Sequence, residues 1–438
     1  MSAAPSRALS LELAQIAGEE NVREKAEDLR HLEIDGVTPA CVVTPQTVEQ
    51  IAAIMRLAFN HDLVVVPAGG FTQQAIGRIP SRIDIVLRTE RLNRVEHYDP
   101  GDLTLSVGAG ITIAQLRRVV DGNRQLLPID PARSERVTVG GAIAANASGA
   151  LQHRFGSIRE SLLGVRFVTA DGRIAKAGGR VVKNVAGYDL MKLMTGSFGT
   201  LGVLVSANLK VFPAPHQYRT FVTEFVSLHQ AIQYRDRILQ SPLSPLCLEI
   251  ASPEARTMIP DGGSRGTWGV YLRAAGSDAV LARYRQELGT DVAREGGGAD
   301  EEMFWRTIAD WADLWAQSQN NCALLRVSVP SSAVENALRS AATLAGNTGV
   351  HWGALGRATG SFLIAFSAAE SVERLVTMVN AYRNALGCDS MAVITHCSTA
   401  LKQHIDVWGT TPTDLAAMRI ARKALDRKQI LNRGRFLI

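Results

Sequence analysis

The stretch "TVGGAIAANASGA", Thr138 to Ala150, runs thirteen residues without a side chain larger than isoleucine or asparagine. Small residues bring backbone close to something, either a packed neighbour or a ligand. Ala142 to Ala145 predict a short helix with Gly140 and Gly141 at its start. A helix N-terminus carries N–H groups without intrahelical partners and the positive pole of the macrodipole, a setting suited to a diphosphate. Close helix–sheet packing explains the alanines equally well. It does not explain Asn146 and Ser148, hydrogen-bonding side chains set beside Gly149 where only small groups fit. Asp130 and Pro131 open the same segment, so they join the candidate set.

Two further turns share this character. In "VVVPAGGFTQQ" (64–74) a buried strand stops at Pro67, and Ala68, Gly69 and Gly70 present bare backbone before Phe71 and Thr72. Successive N–H groups in such a turn form a concavity for phosphate oxygens; a plain strand-to-helix turn is the competing reading. In "GYDLMKLMTGSFGTLGVLVSANLKVFP" (187–213), glycines 196, 199 and 202 let a planar ring lie against main chain just before the strand that opens at Val203. "GAGITI" at 108–113 also joins a strand to a helix, yet Ile113 stands where a dinucleotide fingerprint needs its third glycine, so a bulge or turn is expected. No G-x-x-x-x-G-K-[ST] string occurs, which excludes that triphosphate loop.

Length and composition set the frame. A chain of 438 residues exceeds one typical core, so two or three domains are expected. Hydrophobic residues at 46% and charged residues at 20% describe an ordinary globular protein. The net charge of +5 has no concentrated basic block behind it, which argues against nucleic acid and is compatible with an anionic ligand. The five cysteines are scattered without a C-x-x-C pair, so neither a zinc ribbon nor an iron–sulfur cluster is encoded, and they read as reduced core thiols. The start "MSAAPSRALS" lacks the apolar stretch of a secretory signal, and no apolar run of about 18 residues appears. A cytoplasmic protein is expected, attached to the inner membrane, if at all, only peripherally through partners.

Hydrophobic periodicity then orders the chain. Residues 6–30 predict a polar, charged helix in an N-terminal extension (1–34). The helix "TVEQIAAIMRLAFNHD", capped by Thr47, opens a run of short strands and helices that closes near Pro213, a first domain over 35–214. A second α+β unit over 215–420 alternates strands with the helices "SLHQAIQYRDRIL", "DAVLARYRQEL", "SSAVENALRSAATLA" and "SVERLVTMVNAYRNAL"; one antiparallel sheet with helices on one side is the simplest packing. "REGGGADEE" (294–302) reads as a mobile loop. The last segment, 421–438, is a helix followed by a tight turn.

The turns at P-x-G-G, "TVGGAIAANASG" and "GSFGTLGVL", in this order, resemble the vanillyl-alcohol-oxidase or PCMH type of FAD-linked oxidase over roughly residues 35–213. The resemblance implies an α+β fold with a two-subdomain FAD-binding domain followed by an antiparallel-sheet substrate or cap domain. It places FAD on Pro67 to Thr72, on Thr138 to Gly149 and on Gly199 to Val203. "VVKNVAGYDLMKLMTGSFGTLGVL" (181–204) and "ALDRKQILNRGR" are similar to the FAD-binding E subunit of bacterial glycolate oxidase, with Arg433 where proline is usual and Asn432 returning from the chain end to the flavin. That likeness implies oxidation of a small 2-hydroxy acid, a second flavoprotein subunit and an iron–sulfur subunit. Phe71 stands near the place where covalent members carry histidine, so non-covalent FAD is expected. Related dehydrogenases hold a metal with H-x-G-D-G-x-x-H; "HWGALGR" keeps only the first His and Gly, and no metal site is assigned.

FAD carries the redox chemistry, while the protein must supply a cation for a substrate carboxylate and a base for its hydroxyl proton. Arg306 in "EEMFWRTIADW" and Arg326 in "LLRVSVP" are the cation candidates, and His351 is the candidate base. Each has a structural alternative, an ion pair or a hydrogen-bonded histidine. Trp305, Trp311 and Trp315 share a helical stripe and read as core. Lys183, beside the "NVAGYDL" turn that Tyr188 closes, is a further candidate to approach the flavin.

Overall fold

A computed structural model describes residues 7–180, 189–264, 266–369, 371–409 and 411–438. Lys183 and Tyr188 lie outside the described residues. The N-terminal segment is not the single helix expected: α1 (Arg7–Ala17) stops at Gly18, whose φ of 92° suits glycine alone. β1 (Val22–Arg23) then pairs antiparallel with β2 (Cys41–Val43), so this segment belongs to the first sheet. The helix α2 (Val48–Asn60) starts as expected at Thr47, whose side chain accepts from the Gln50 N–H in a reciprocal capping box. With β3 (Val65–Ala68) and β4 (Ile85–Arg88) the sheet order is β1-β2-β4-β3, the last three strands parallel. Parallel strands covered on both faces read as unbroken apolar runs, and "LVVVPA" is one.

The second subdomain holds β5 (Val95–Asp99), β6 (Thr104–Gly108), α3 (Ile113–Asp121), α4 (Val139–Ala145), β7 (Leu162–Val168), β8 (Ile174–Gly178) and β9 (Val203–Lys210), its strands ordered β5-β6-β9-β7-β8 and antiparallel throughout. Val139, Ala142 and Ile143 of α4 are wholly buried in its core.

The second domain is one eight-stranded antiparallel sheet. Along the chain it comprises β10 (Gln217–Phe225), α5 (Leu228–Gln240), β11 (Cys247–Ala251), β12 (Trp268–Gly276), α6 (Asp278–Leu288), β13 (Arg294–Gly296), α7 (Ala299–Ser318), β14 (Cys322–Ser328), α8 (Val334–Thr348), β15 (His351–Arg357), β16 (Ser361–Ser367), α9 (Val372–Ala385) and β17 (Met391–Cys397). The order is β13-β10-β12-β11-β15-β16-β14-β17. Alternation sends Leu248, Ile250, Ala323, Leu325 and Val327 to the face covered by α5, α6, α8 and α9.

Helices do not occupy one side only. Phe304, Trp305, Ile308, Trp311 and Trp315 of α7 form an apolar stripe that needs its own surface, and it takes the opposite face with Cys247, Leu324 and Leu355. Ala150 and Leu151 of the first domain share that cluster, so the domains meet on this face. The tryptophans are core, as read. The expected mobile loop at 294–302 is instead the edge strand β13 running into the first turn of α7.

After α10 (Leu415–Leu425) the chain returns to the first sheet. The Val65 N–H donates to the Ile430 carbonyl and the Asn432 N–H donates to the Val65 carbonyl, each at 2.9 Å. The buried Asp426 carboxylate shapes this turn by accepting from the N–H groups of Ile430 and Leu431. The tail thereby continues the edge at β3, beside the first glycine turn.

Candidate functional site

At Gly69 a β-carbon would stand 2.0 Å from Thr138 Oγ1, and at Gly70 it would stand 1.7 Å from the Arg136 carbonyl oxygen. Only glycine fits either position, because the two subdomains cross in contact here. The crossing has a chemical consequence. Among the described residues, the backbone N–H groups of Gly69, Gly70, Phe71 and Thr72 donate to no protein acceptor. A left-handed Phe71, φ 58°, bends this run in the way anion-binding nests require.

The start of α4 behaves differently. Thr138 caps it, accepting from the Gly141 N–H at 3.2 Å. The Val139 N–H donates to Ile111 and the Gly140 N–H to Ala109, at 2.9 and 2.8 Å, because this end lies alongside residues 109–111 as a strand would. The expectation of unpaired N–H groups at this helix start is therefore corrected: protein acceptors take them. Gly140 is demanded by Ala109, whose Cβ would be 2.9 Å from an added β-carbon, whereas Gly141 meets only Thr138 Oγ1, at 3.2 Å.

The third turn carries Gly199 at φ 66°, where a β-carbon would press on Asn432 Nδ2 and Pro67 Cγ at 3.3 and 3.4 Å. Asn432 Nδ2 donates to the Phe198 carbonyl, tying the tail to this turn. The three turns and the tail enclose a cleft of about 840 Å³, open solvent at its mouth included. Pro67, Ala68, Gly69, Gly70, Phe71, Thr72, Thr138, Gly140, Gly141, Gly199, Val203 and Asn432 all line it. Phe198, Trp408 and Phe436 form an aromatic wall, with ring centroids 4.7–5.5 Å apart. The buried Arg435 guanidinium donates to Gln74, Ile76 and Asn432. Phe71, Phe198 and Asn432, three of the ten described non-glycine residues with positive φ, line the cleft. Such conformations persist where surrounding structure holds them, commonly at functional sites.

Five of the residues read from the sequence stand behind the cleft wall. The Asp130 carboxylate accepts from the Leu151 N–H, and an added β-carbon at Gly149 would strike the Asp130 carbonyl at 1.9 Å. Burial pushes the Asp130 pKa up, opposed by Arg117. Asp130, with the buried Pro131 beside it, supports the turn from behind rather than lining the cleft. Asn146 Oδ1 and Ser148 Oγ are buried without a hydrogen-bond partner among the described residues.

The cap sheet faces this turn. Arg326 of β14 reaches the Ala145 carbonyl at 3.5 Å. Burial, and then Arg357, lower its pKa. Arg357 of β15 donates to the Gly149 carbonyl and to Ser361. His153 is pushed down to about 4 by burial, Arg154 and Arg357, so it is neutral. Arg306 and His351 are not brought here: Arg306 is on the exposed side of α7, and exposed His351 stacks on Trp315 at 4.9 Å. Among the described residues, no group of three His, Cys, Asp or Glu side chains could hold a metal ion. No described helix is long and apolar enough to cross a membrane.

Sequence reading missed Arg357, Arg435, Trp408, Phe436 and Glu249. Only Glu249 carried a signal, a lone acid at an inward position of the apolar strand "LCLEIA".

Comparison with known proteins agrees with this geometry. Residues 39–178 match the FAD binding domain family. The chain is 30% identical to glycolate oxidase subunit GlcD of Bacillus subtilis over 51% of its own length and 47% of the relative's. It is 36% identical to glycolate oxidase subunit GlcE of Escherichia coli, covering 53% of this chain and 65% of that one. For D-lactate dehydrogenase of Archaeoglobus fulgidus the identity is 33%, over 49% and 48%. The chain thus spans about half the length of GlcD and of the D-lactate dehydrogenase. Among solved structures, p-cresol methylhydroxylase superposes with a TM-score of 0.79 at 15% identity, covering 98% of this chain and 96% of that one. Alkyldihydroxyacetonephosphate synthase gives 0.74 at 15%, covering 99% and 86%. Residues 39–178 are an FAD-binding domain, and the chain as a whole has the α+β two-domain fold of the PCMH-type FAD-linked oxidases.

Proposed function

We propose that the protein is an FAD-dependent dehydrogenase of a small 2-hydroxy acid of glycolate size, acting as one flavoprotein subunit beside a second flavoprotein and an iron–sulfur subunit. One observation carries the reading: among the described residues, a run of four N–H groups without protein acceptors opens onto the cleft. Beside it, the half-buried Arg326 guanidinium has no carboxylate within ion-pair distance among those residues. The N–H groups of Gly69 to Thr72 would hold the diphosphate, while Gly141 and Gly199 leave room for the rings. Phe71 offers no nucleophile for a covalent link, so the cofactor is held by contacts alone. FAD, when bound, supplies a two-electron oxidation. Arg326 orients the substrate by its carboxylate at the end of α4, a contact guanidinium geometry favours. Burial pushes Cys41 and Cys397 up to about 12 and Cys322 to about 11, so these thiols are protonated near neutral pH. The scattered cysteines, without a C-x-x-C pair, leave another chain or a soluble acceptor to take the electrons.

A second reading, FAD bound structurally in an assembly subunit, is favoured by the placement of His351 and Arg306 away from the cleft. Anaerobic titration of the FAD-loaded chain with glycolate and D-lactate separates the two. Bleaching of the flavin bands by the isolated chain supports catalysis, and bleaching only after the partner subunits are added supports action within the complex. Unchanged bands in both settings overturn the oxidation of 2-hydroxy acids, and absence of flavin bands after loading overturns the cofactor assignment.

A further inference from the structure

We infer that the Asn146–Gly149 turn and the facing cap sheet form a carboxylate-binding site in which Arg326 and Arg357 hold the anion and Glu249 carries a proton coupled to its binding. This rests on the reading of Arg326 given above and extends it to two residues that the sequence did not single out.

The geometry comes from register. Glu249 stands directly opposite Arg357 on β11 and β15, Arg357 opposite Ser361, and Leu363 opposite Arg326, so all three charged groups share one face of adjoining strands. The two guanidinium groups end on the same short turn, Arg326 on the Ala145 carbonyl and Arg357 on the Gly149 carbonyl. Among the described residues neither is within ion-pair distance of a carboxylate; carbonyl and hydroxyl oxygens are their acceptors. Two half-buried positive charges thus face a turn whose own polar atoms, Asn146 Oδ1 and Ser148 Oγ, lack partners among the described residues.

Glu249 does not cancel that charge. It is 3% exposed, and its Oε1 is buried with no hydrogen-bond partner among the described residues. An ionised carboxylate without hydrogen bonds is costly in such a place, and burial pushes its pKa up to about 8, with Arg357 lowering it and Asp130 raising it. Near neutral pH it is protonated, and the arginines stay uncompensated.

Other titratable and charged groups face it from each packed element. They are Cys247 on its own strand, Tyr271 and Arg273 on β12 with Glu301 of α7, His153 and Arg154 on the helix Gln152–Phe155, and Asp130 with Arg117 of α3. Burial holds Cys247 and Tyr271 well above their ordinary values and His153 well below, and it raises Asp130 as well, against the pull of Arg117.

Linkage fixes the sign. A bound anion makes ionisation of Glu249 harder, and an ionised Glu249 repels the anion while neutralising Arg357, so binding takes up a proton as the pH approaches 8.

The test is calorimetric titration of the FAD-loaded full chain with oxamate from pH 6 to 9.5, in two buffers of different protonation enthalpy. Oxamate affinity is expected to fall about ten-fold or more across that range, with proton uptake largest near pH 8. Glu249→Gln should keep the affinity seen at pH 6 and lose the fall; Arg357→Gln should weaken pH 6 binding about ten-fold. Proton uptake by the unsubstituted chain decides the matter even if Glu249→Gln does not fold. Oxamate binding that is independent of pH, or a fall unchanged by Glu249→Gln, overturns the coupling alone. Absence of oxamate binding at every pH overturns the Arg326 reading as well.

Discussion

The turns at Gly69–Thr72 and Thr138–Ala145 look alike as strings of small residues, yet they do different work. In the first, glycine is required because protein atoms lie 1.7–2.0 Å from where a β-carbon would sit, and among the described residues the loop's four N–H groups find no protein acceptor. In the second, the N–H groups of Val139, Gly140 and Gly141 are taken by Ile111, Ala109 and Thr138. A glycine pair therefore reports a close approach without saying what approaches. Here it is mostly protein that approaches, and the ligand-binding property is a by-product of how one loop is left over.

That contrast can be broken by substitution. Gly70→Ala should have the largest effect, destabilising the apo chain by more than about 3 kcal/mol, since its methyl would collide with main chain; a normal melting temperature without FAD would refute the packing argument. Gly141→Leu should leave apo melting within about 3 °C, because a helical glycine is replaced by a better helix former, while FAD affinity falls at least about 100-fold. Normal flavin loading by that variant would show that α4 does not border the cofactor.

On the cap side, Arg326→Met should retain FAD and weaken oxamate binding roughly 10–100-fold, read by calorimetry. Glu249→Gln should melt roughly 2–5 °C higher than the parent at pH 9.5 and no higher at pH 5. The sign follows from the raised pKa: the folded chain holds a proton that the unfolded chain has released, so stability drops as pH climbs from about 4.5 through about 8. Smallest is Thr138→Val, which removes the cap that Gly141 donates to and should cost about 1 kcal/mol, measured by denaturant unfolding.

Much of this architecture was legible locally. The cap at Thr47, the tryptophan stripe of α7, and the return of the tail with Asn432 follow from spacing or from resemblance. The site was legible in part. Twelve of the seventeen cofactor residues read from the sequence line one cleft, while Asp130, Pro131, Asn146, Ser148 and Gly149 stand behind its wall. Of the candidate catalytic residues only Arg326 approaches, because alternation along β14 puts it on the same face as Leu324, towards the first domain. His351 and Arg306 were chosen by residue type, and type alone does not say which face of a sheet or helix meets the cleft.

By itself the sequence determined the local elements, the three small-residue turns and the division into two α+β units, since apolar period, caps and glycine act over a few residues. Tertiary structure alone decided which N–H groups stayed free and which charges stayed unpaired. Each of those outcomes is a balance of donors and acceptors closed by distant segments, residues 109–111 against 139–140, and the end of α4 against strands nearly two hundred residues further along the chain. No local pattern encodes that balance.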